Sequence, residues 1–568
     1  MESPESASTP VVKYHRLAVM LLKLFGNDRR TLLLFACVFT ITILFRIAGI
    51  RWALPDSMHP FSTFHPDETV NLAVAKSINL GRGNIDIKYY NYGALYFYLV
   101  SFAMAAGKAY HLVPAVVSGT GIAGSAAHNS ALFLCGRVVT AFLGILTVPI
   151  VFVAGRLAYG NRAGILASLV AAVMPLWVVH SQFVTVDVPA TFFVSLALLA
   201  AVLLIENYSL STLVFAAVST GLAAATKYNL GLVGLGPIFA ILSNRSTASG
   251  LQRGALFLAI TVLAFVVGCP GAVLHSHEFW FGVPGNPQSG LRYELFVHSR
   301  QGHGLLFVNT GPGWWYHLTV SLPWGMGLPL ELFTLAAVGF ALLRRNAFDK
   351  MLLVYLLVTF VITSLSAVRF ARYMIPLFPA MALLCGAYFS TAWQKRSAIA
   401  GTVTAVVLLL TTIYTLSLLR LMRNKPAQEL AAAYINNHLP TSESIAFPET
   451  PWFYSPAMVP AFGAVDPQVR RSLAEQESTR FVLRVPVRPW STSVLTPEPG
   501  MVAVSNFETM HPLRLNQPRP KRFMAALSTY IMKRFGPGKV WGEPPHGAII
   551  PDDILYIMPT ITLYVPRS

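Results

Sequence analysis

Stretches of about 20 predominantly apolar residues recur along this chain from residue 31 to residue 421, and about 20 such residues in a helix cross the hydrocarbon core of a bilayer. In lipid every backbone polar group has to be satisfied internally, so this repetition confines the chain to a helical membrane bundle. Composition agrees: 54% of the 568 residues are hydrophobic and 12% are charged, against about 25% charged in soluble proteins. Spans are expected near 31–50, 131–155, 163–183, 188–206, 210–226, 229–243, 253–274, 316–343, 351–368, 371–391 and 398–421. The first, "TLLLFACVFTITILFRIAGI", is too long for a signal-peptide core and is followed by no small-residue cleavage site, so it reads as an uncleaved span.

The loops sort by charge. Lys13, Arg16, Lys23, Arg29, Arg30, Arg156, Arg162, Arg245, Arg253, Arg344, Arg345, Lys350, Lys395 and Arg396 fall on one side, which the positive-inside rule makes cytoplasmic. Lys and Arg outnumber Asp and Glu by 42 to 24, an excess that in a soluble protein would suggest nucleic acid. Here most basic residues before residue 425 report orientation and contact with anionic lipid, and no nucleic-acid motif accompanies them. An odd number of spans leaves residues 1–30 as a cytoplasmic tail. Residues 51–130, the loop 275–315 and the region 425–568 then lie outside, in a plasma or inner membrane. Residues 90–114, "YNYGALYFYLVSFAMAAGKAYHLVP", are apolar enough to cross. A crossing there would invert the later charge pattern, and tyrosines favour the interface, so this segment is expected to lie on or dip into the outer leaflet.

Residues 425–568 differ in kind: a helix, "AQELAAAYINNHL", precedes strand-like stretches "RFVLRVPV", "GMVAVSN" and "ILYIMPTITLYVP", which predicts a small α/β domain. The fold class expected is thus mainly α, a polytopic bundle of about 11 spans over residues 31–421, with this domain appended. Cys37, Cys135, Cys269 and Cys385 all lie in apolar runs without metal-ligand spacing, which argues against a disulfide framework and a zinc–cysteine site.

The chemistry is best read from the first external loop, "FSTFHPDETVNLAVAKSINLGRG". Pro66 suits the first turn of a helix and Asp67 and Glu68 suit its positive end. Adjacent helical residues point about 100° apart, so one carboxylate can act as a base while the other holds the acceptor or caps the helix. Asp187 falls where a span reaches the outside, Lys227 ends another there, and Arg369 and Arg372 sit at the outer junction of a third. Each alone is equally a snorkelling anchor. Together they are what a site needs that holds a phosphate and removes a proton. The second external loop adds Arg292, His298, Arg300, His303 and His317 with Trp314 and Trp315; the cations can contact a phosphate, and the tryptophans either stack on a sugar or form an interfacial belt. A divalent ion held by Asp67, Asp187 and a histidine, His65 included, is compatible with the residues.

"FHPDE", "NYGALYFYL", "GRLAYGNRAGILASLVAAVMP" leading to Asp187, "GLAAATKYNLGLV" and "ARYMIPLFPAMALL", in this order over residues 31–421, resemble the GT-C superfamily of membrane glycosyltransferases. The branch is that of the protein O-mannosyltransferases and the aminoarabinose transferase that modifies lipid A. The resemblance implies a polyprenyl-phosphate-sugar donor, inversion at the anomeric carbon and an extracytoplasmic hydroxyl acceptor on a protein, glycan or lipid. It implies Asp67 as base with Glu68 beside it, Lys227 and Arg372 on the donor phosphate, and Asp187 organising the acceptor or a cation. Arg369, His303, Arg300 and His298 are further candidates for the phosphate, and His65 for the acceptor or cation. The chain departs from the aminoarabinose transferase in having "YNYGALYFYL" where a "KPP" string is usual, which weakens the inference of that sugar and of a lipid A acceptor. The competing reading is a secondary transporter, which would carry its charges at mid-membrane between related halves; here they gather at one surface and no internal echo is found.

Overall fold

The computed structural model describes residues 28–115, 121–243, 247–395, 397–458, 468–469, 471–472, 481–536, 538–542 and 549–567. Lys13, Arg16 and Lys23 of the expected cytoplasmic tail, and Arg245 and Arg396, lie outside the described residues.

The chain is mainly α and multi-pass. Among the described residues seven helices are long and apolar enough to cross a membrane, or eight if one bent pair counts as a span. They include Arg29–Ile47, Asp187–Glu206 and Ala347–Ser364. The expected spans 163–183, 210–226 and 229–243 are built from shorter helices. Asn161–Val173 stops at Met174, because Pro175 restricts the residue before it, and resumes as Pro175–His180. Leu210–Thr226 has 17 residues, and Tyr228–Leu242 opens with a 3-10 stretch. The span expected over 316–343 is sharply bent: Gly313–Met326 and Leu328–Arg344 meet at an angle of 118°. The hinge is Gly327 at φ 82°, a conformation that residues with a Cβ avoid. Residues 90–114 contain one helix, Leu95–Ala109, of 15 residues. At 1.5 Å per residue that is about 22 Å, short of a crossing.

Charged side chains gather at both ends of the bundle. At one end the Arg344 guanidinium engages Asp349, which also accepts the Tyr159 hydroxyl at 2.9 Å. The ends of three helices assigned to one side by charge therefore meet. At the other end lies the cluster described below.

The C-terminal region carries a five-stranded mixed sheet in the order β2-β1-β3-β5-β4, with β1 Ser444–Ala446, β2 Val482–Arg484, β3 Met501–Ser505, β4 Lys539–Trp541 and β5 Ile561–Tyr564. β1 runs parallel to β2 and β3, and β5 antiparallel to β3 and β4. One face is covered by the predicted helix, Ala427–His438, through Ala431 and Ile435; the other is covered by Pro518–Lys533 through Phe523 and Leu527. The strand expected from Ile554 onward begins only at Ile561. Asp552–Leu555 is instead a short helix whose Ile554 and Leu555 are fully buried among side chains of the membrane bundle. The apolar run that resembled a strand is a docking plug: its hydrophobicity is satisfied by another domain, not by the sheet. Trp324 donates to the Ile549 carbonyl at 3.0 Å and Arg514 to the Val308 carbonyl at 2.7 Å, which fastens the domain on either side of the plug.

Candidate active site

The acidic helix runs Pro66–Ser77, with Pro66 at its start and both carboxylates in its first turn. The angular step between neighbours sends them to different surroundings. Glu68 is fully buried and accepts from Arg137 Nε and Nη2 at 2.8 and 2.7 Å, from the Val184 N–H at 2.8 Å and from the Thr63 hydroxyl at 2.7 Å. Arg137 spends its remaining fork on the carbonyls of Ile50 and Trp52. With both oxygens saturated, Glu68 has nothing to offer a substrate. The expectation that it shares the chemistry gives way to a positioning role: it pins the loop that presents Asp67.

Asp67 remains 29% exposed, with Oδ2 at 2.8 Å from Arg372 Nη2. Arg372 is the hub. Its Nη1 lies 2.6 Å from Asp553 Oδ1 and its Nε 3.8 Å from Asp187 Oδ2, while the guanidinium sits 3.9 Å above the centre of the Phe370 ring. Asp187 also holds Lys227 Nζ at 2.7 Å. Asp187 opens the helix Asp187–Glu206 and Lys227 caps the end of Leu210–Thr226, so each charge complements the partial charge of its own helix terminus. The Lys227 ammonium lies 4.2 Å from the centre of the Tyr373 ring. The loop before Leu95–Ala109 closes in beside it: a Cβ on Gly93 would fall on the Ala225 carbonyl, two residues from Lys227. Four residues expected from the sequence, far apart along the chain, thus meet in one cluster.

Asp553 was not expected. It comes from the docking plug, is fully buried, and accepts the Ala371 N–H at 2.6 Å as well as Arg372. His180 Nε2 lies 3.7 Å from it. A pair of aspartates inside the apolar run "IIPDDILYIMP" was the available signal. Arg137, an arginine inside an expected span, was likewise readable as an intramembrane charge in need of a partner.

The other expected residues scatter around this hub. His65 is fully buried against the Phe183 and Tyr556 rings, with centroids 4.6 Å away in each case. Burial and the nearby His180, Arg372 and Arg137 hold its pKa well below the ordinary histidine value, so it is a neutral ring beneath the cluster. Arg369 donates to Thr310 Oγ1 at 2.7 Å and to the Gly311 carbonyl at 2.6 Å, a clamp on the loop 275–315. Arg300 lies over Phe296, 5.7 Å from the ring centre. His298 is held between Glu294 at 2.9 Å and His303 at 3.2 Å. His303 reaches toward the hub, its ring 5.8 Å from that of Phe370, which Phe307 of the same loop meets at 5.2 Å; burial, then His298, lower its pKa.

The metal expectation meets the same geometry. Asp67 and Asp187 are taken up by Arg372 and Lys227, and among the described residues no histidine joins them at ligand distance. The donor set at the hub does not fit a divalent ion.

A family model described as dolichyl-phosphate-mannose-protein mannosyltransferase matches residues 129–272, the segment holding Arg137, His180, Asp187 and Lys227. Over that segment the resemblance read from the sequence is borne out. No curated protein matches the chain. Among solved structures, ArnT from Cupriavidus metallidurans in the apo state is 16% identical at a TM-score of 0.49, with 94% of this chain and 97% of that chain covered. The Archaeoglobus fulgidus oligosaccharyltransferase in complex with Zn and sulfate is 14% identical at 0.49, with 94% and 75% covered. The S. cerevisiae protein O-mannosyltransferase Pmt1-Pmt2 complex bound to the sugar donor is 18% identical at 0.34, with 47% and 37% covered.

Proposed function

We propose that this chain is an inverting membrane glycosyltransferase that moves a hexose from a polyprenyl-phosphate donor to an acceptor hydroxyl on the extracytoplasmic face, with its N-terminus in the cytoplasm. One observation carries the reading: Asp67, Asp187 and, through Asp187, Lys227 converge on Arg372 at one end of the bundle. The family-model match supplies sugar transfer from a lipid phosphate as the class of chemistry, favours it over secondary transport, and names mannose, hence a hexose.

Asp67 is the base. It is the exposed carboxylate of the cluster, and a neutral hydroxyl has to lose its proton as it attacks. The acceptor oxygen bonds to the anomeric carbon, the bond from that carbon to the phosphate oxygen breaks, the proton passes to Asp67, and the electron pair leaves with the lipid phosphate. Lys227 and Arg372 stabilise the charge that develops there, with an effect enlarged by the partly dehydrated surroundings. Asp187 orients both cations. His303 stands at the rim, while His298, Arg300 and Arg369 act at a distance by shaping the second loop.

Two cations here face three carboxylates, an unfavourable home for a further anion. Donor phosphate therefore has to replace one carboxylate on Arg372, and Asp553, the one carried by a separate domain, is the one that yields. The C-terminal domain thus senses the donor.

The test supplies purified protein in lipid with a panel of polyprenyl-phosphate hexoses and pentoses. Consumption of a hexose donor is expected, with near-complete loss of transfer in Asp67→Asn at an unchanged unfolding temperature. Full activity in that variant, or consumption of no donor, overturns the reading.

A further inference from the structure

We propose that Asp56, His59 and Glu429 form a binding site for a zinc-type divalent ion that clasps the C-terminal domain to the first external loop. It is separate from the transfer chemistry and stands whether or not that reading holds.

One potential ligand atom from each residue lies within 4.8 Å of the other two. His59 Nε2 is 3.4 Å from Glu429 Oε1 and 3.6 Å from Asp56 Oδ1. Bonds of about 2.0–2.2 Å to a tetrahedral zinc separate its ligands by roughly 3.4 Å, so little movement is needed.

The orientation of the imidazole is the stronger argument. His59 Nδ1 lies 2.8 Å from the Ser62 carbonyl oxygen. A carbonyl can only accept, so Nδ1 carries a hydrogen and Nε2 is the nitrogen that faces the two carboxylates. An Nε2 between two carboxylates holds a positive particle there, either its own proton or a metal ion that takes the proton's place. A backbone carbonyl fixing the far nitrogen is also the usual support of a metal-bound histidine. Asp56 is held as well: its Oδ1 accepts the N–H groups of Met58 and His59 at 2.7 and 3.2 Å, which fixes the carboxylate through one oxygen and leaves Oδ2 for the ion.

Access and metal choice follow from the surroundings. A cavity of about 440 Å³ adjoins both carboxylates, giving an ion a way in and a water a place in the fourth position. Arg51, Arg423 and Lys425 line it too. They oppose a cation held by charge alone, such as magnesium or calcium. They matter less for an ion gripped through a nitrogen bond, and imidazole selects zinc and its neighbours over the alkaline earths. Glu429 stands in the first turn of Ala427–His438, the helix that covers the C-terminal sheet, whereas Asp56 and His59 follow the first span. An ion there joins parts of the chain 370 residues apart.

The experiment strips the full-length protein with a chelator and titrates it with Zn²⁺, Co²⁺ and Mg²⁺, in wild type and in Glu429→Gln and Asp56→Asn. Wild type should take up one Zn²⁺ per chain at least tenfold more tightly than either variant, gain unfolding temperature on loading, and give the visible absorption of four-coordinate Co²⁺. Mg²⁺ should do none of this. The variants, which keep the shape of each side chain, should unfold like stripped wild type and gain nothing from zinc. Equal uptake by wild type and variants, or no stoichiometric uptake, overturns the proposal and leaves a proton as the particle between the three residues.

Discussion

Asp67 and Glu68 are neighbours of almost the same chemistry, and what separates them is the company each keeps. Glu68 meets a buried arginine and two other groups, whereas Asp67 meets a shared arginine and solvent. Removing the charge of Glu68 would leave Arg137 uncompensated in the interior, which costs about 3–5 kcal/mol. Glu68→Gln should therefore lower the unfolding temperature markedly and lose activity in step with folded protein, in contrast to Asp67→Asn, which should lose turnover alone. Thermal unfolding followed beside donor consumption separates the two. The sequence makes the helix start legible, through Pro66 and the acidic pair, and the angular argument says that the two differ. It does not say which one turns inward, because that depends on Arg137, 69 positions away. The same holds for Arg369 and His65, whose residue types suit a phosphate or an acceptor but whose contacts bind them to the protein itself.

Helix ends carry the site, and they were the most readable elements. Asp187 before a proline and Lys227 after an apolar run each announce a terminus, and the dipole of each helix favours the charge found there. Close approach is less legible: Gly93 has an ordinary φ, and its purpose is space against Ala225. Gly93→Ala should push the loop off the Lys227 helix end, raising donor KM severalfold in steady-state assays while a distant Gly250→Ala, with open space around it, leaves KM unchanged. In the C-terminal domain, Glu508 opens the helix Asn506–Arg514 with Oε1 unpartnered in the interior. Burial, then Glu449, raises its pKa well above the usual glutamate value. The folded state therefore holds a proton that the unfolded chain gives up, so stability is full below about pH 4.5 and falls as pH rises toward the folded pKa. Glu508→Gln should flatten that decline, read as a smaller drop in unfolding temperature between pH 5 and pH 8 than in wild type.

At the scale of the molecule, the membrane bundle is legible because lipid imposes one rule on every span, whereas the joining of two domains obeys no such rule. Asp552–Leu555 is apolar on one side and acidic at its start, which a strand template accepts as readily as a plug. Its burial within the bundle makes the C-terminal domain part of the charge balance at Arg372. Asp553 and a donor phosphate are alternative anions for the same guanidinium, so weakening one favours the other. Asp553→Asn removes the charge and keeps one of the two oxygens that serve the Ala371 N–H and Arg372. If Asp553 stands where phosphate goes, donor KM should fall, by roughly tenfold or about 1.4 kcal/mol. The plug should also release more readily, exposing the stretch around residue 550 to protease without donor. If Asp553 only orients Arg372, the same change should raise donor KM and leave proteolysis as it was. The two signs are opposite because a competitor and a support respond oppositely to losing charge, and a donor titration of one conservative variant reads the difference.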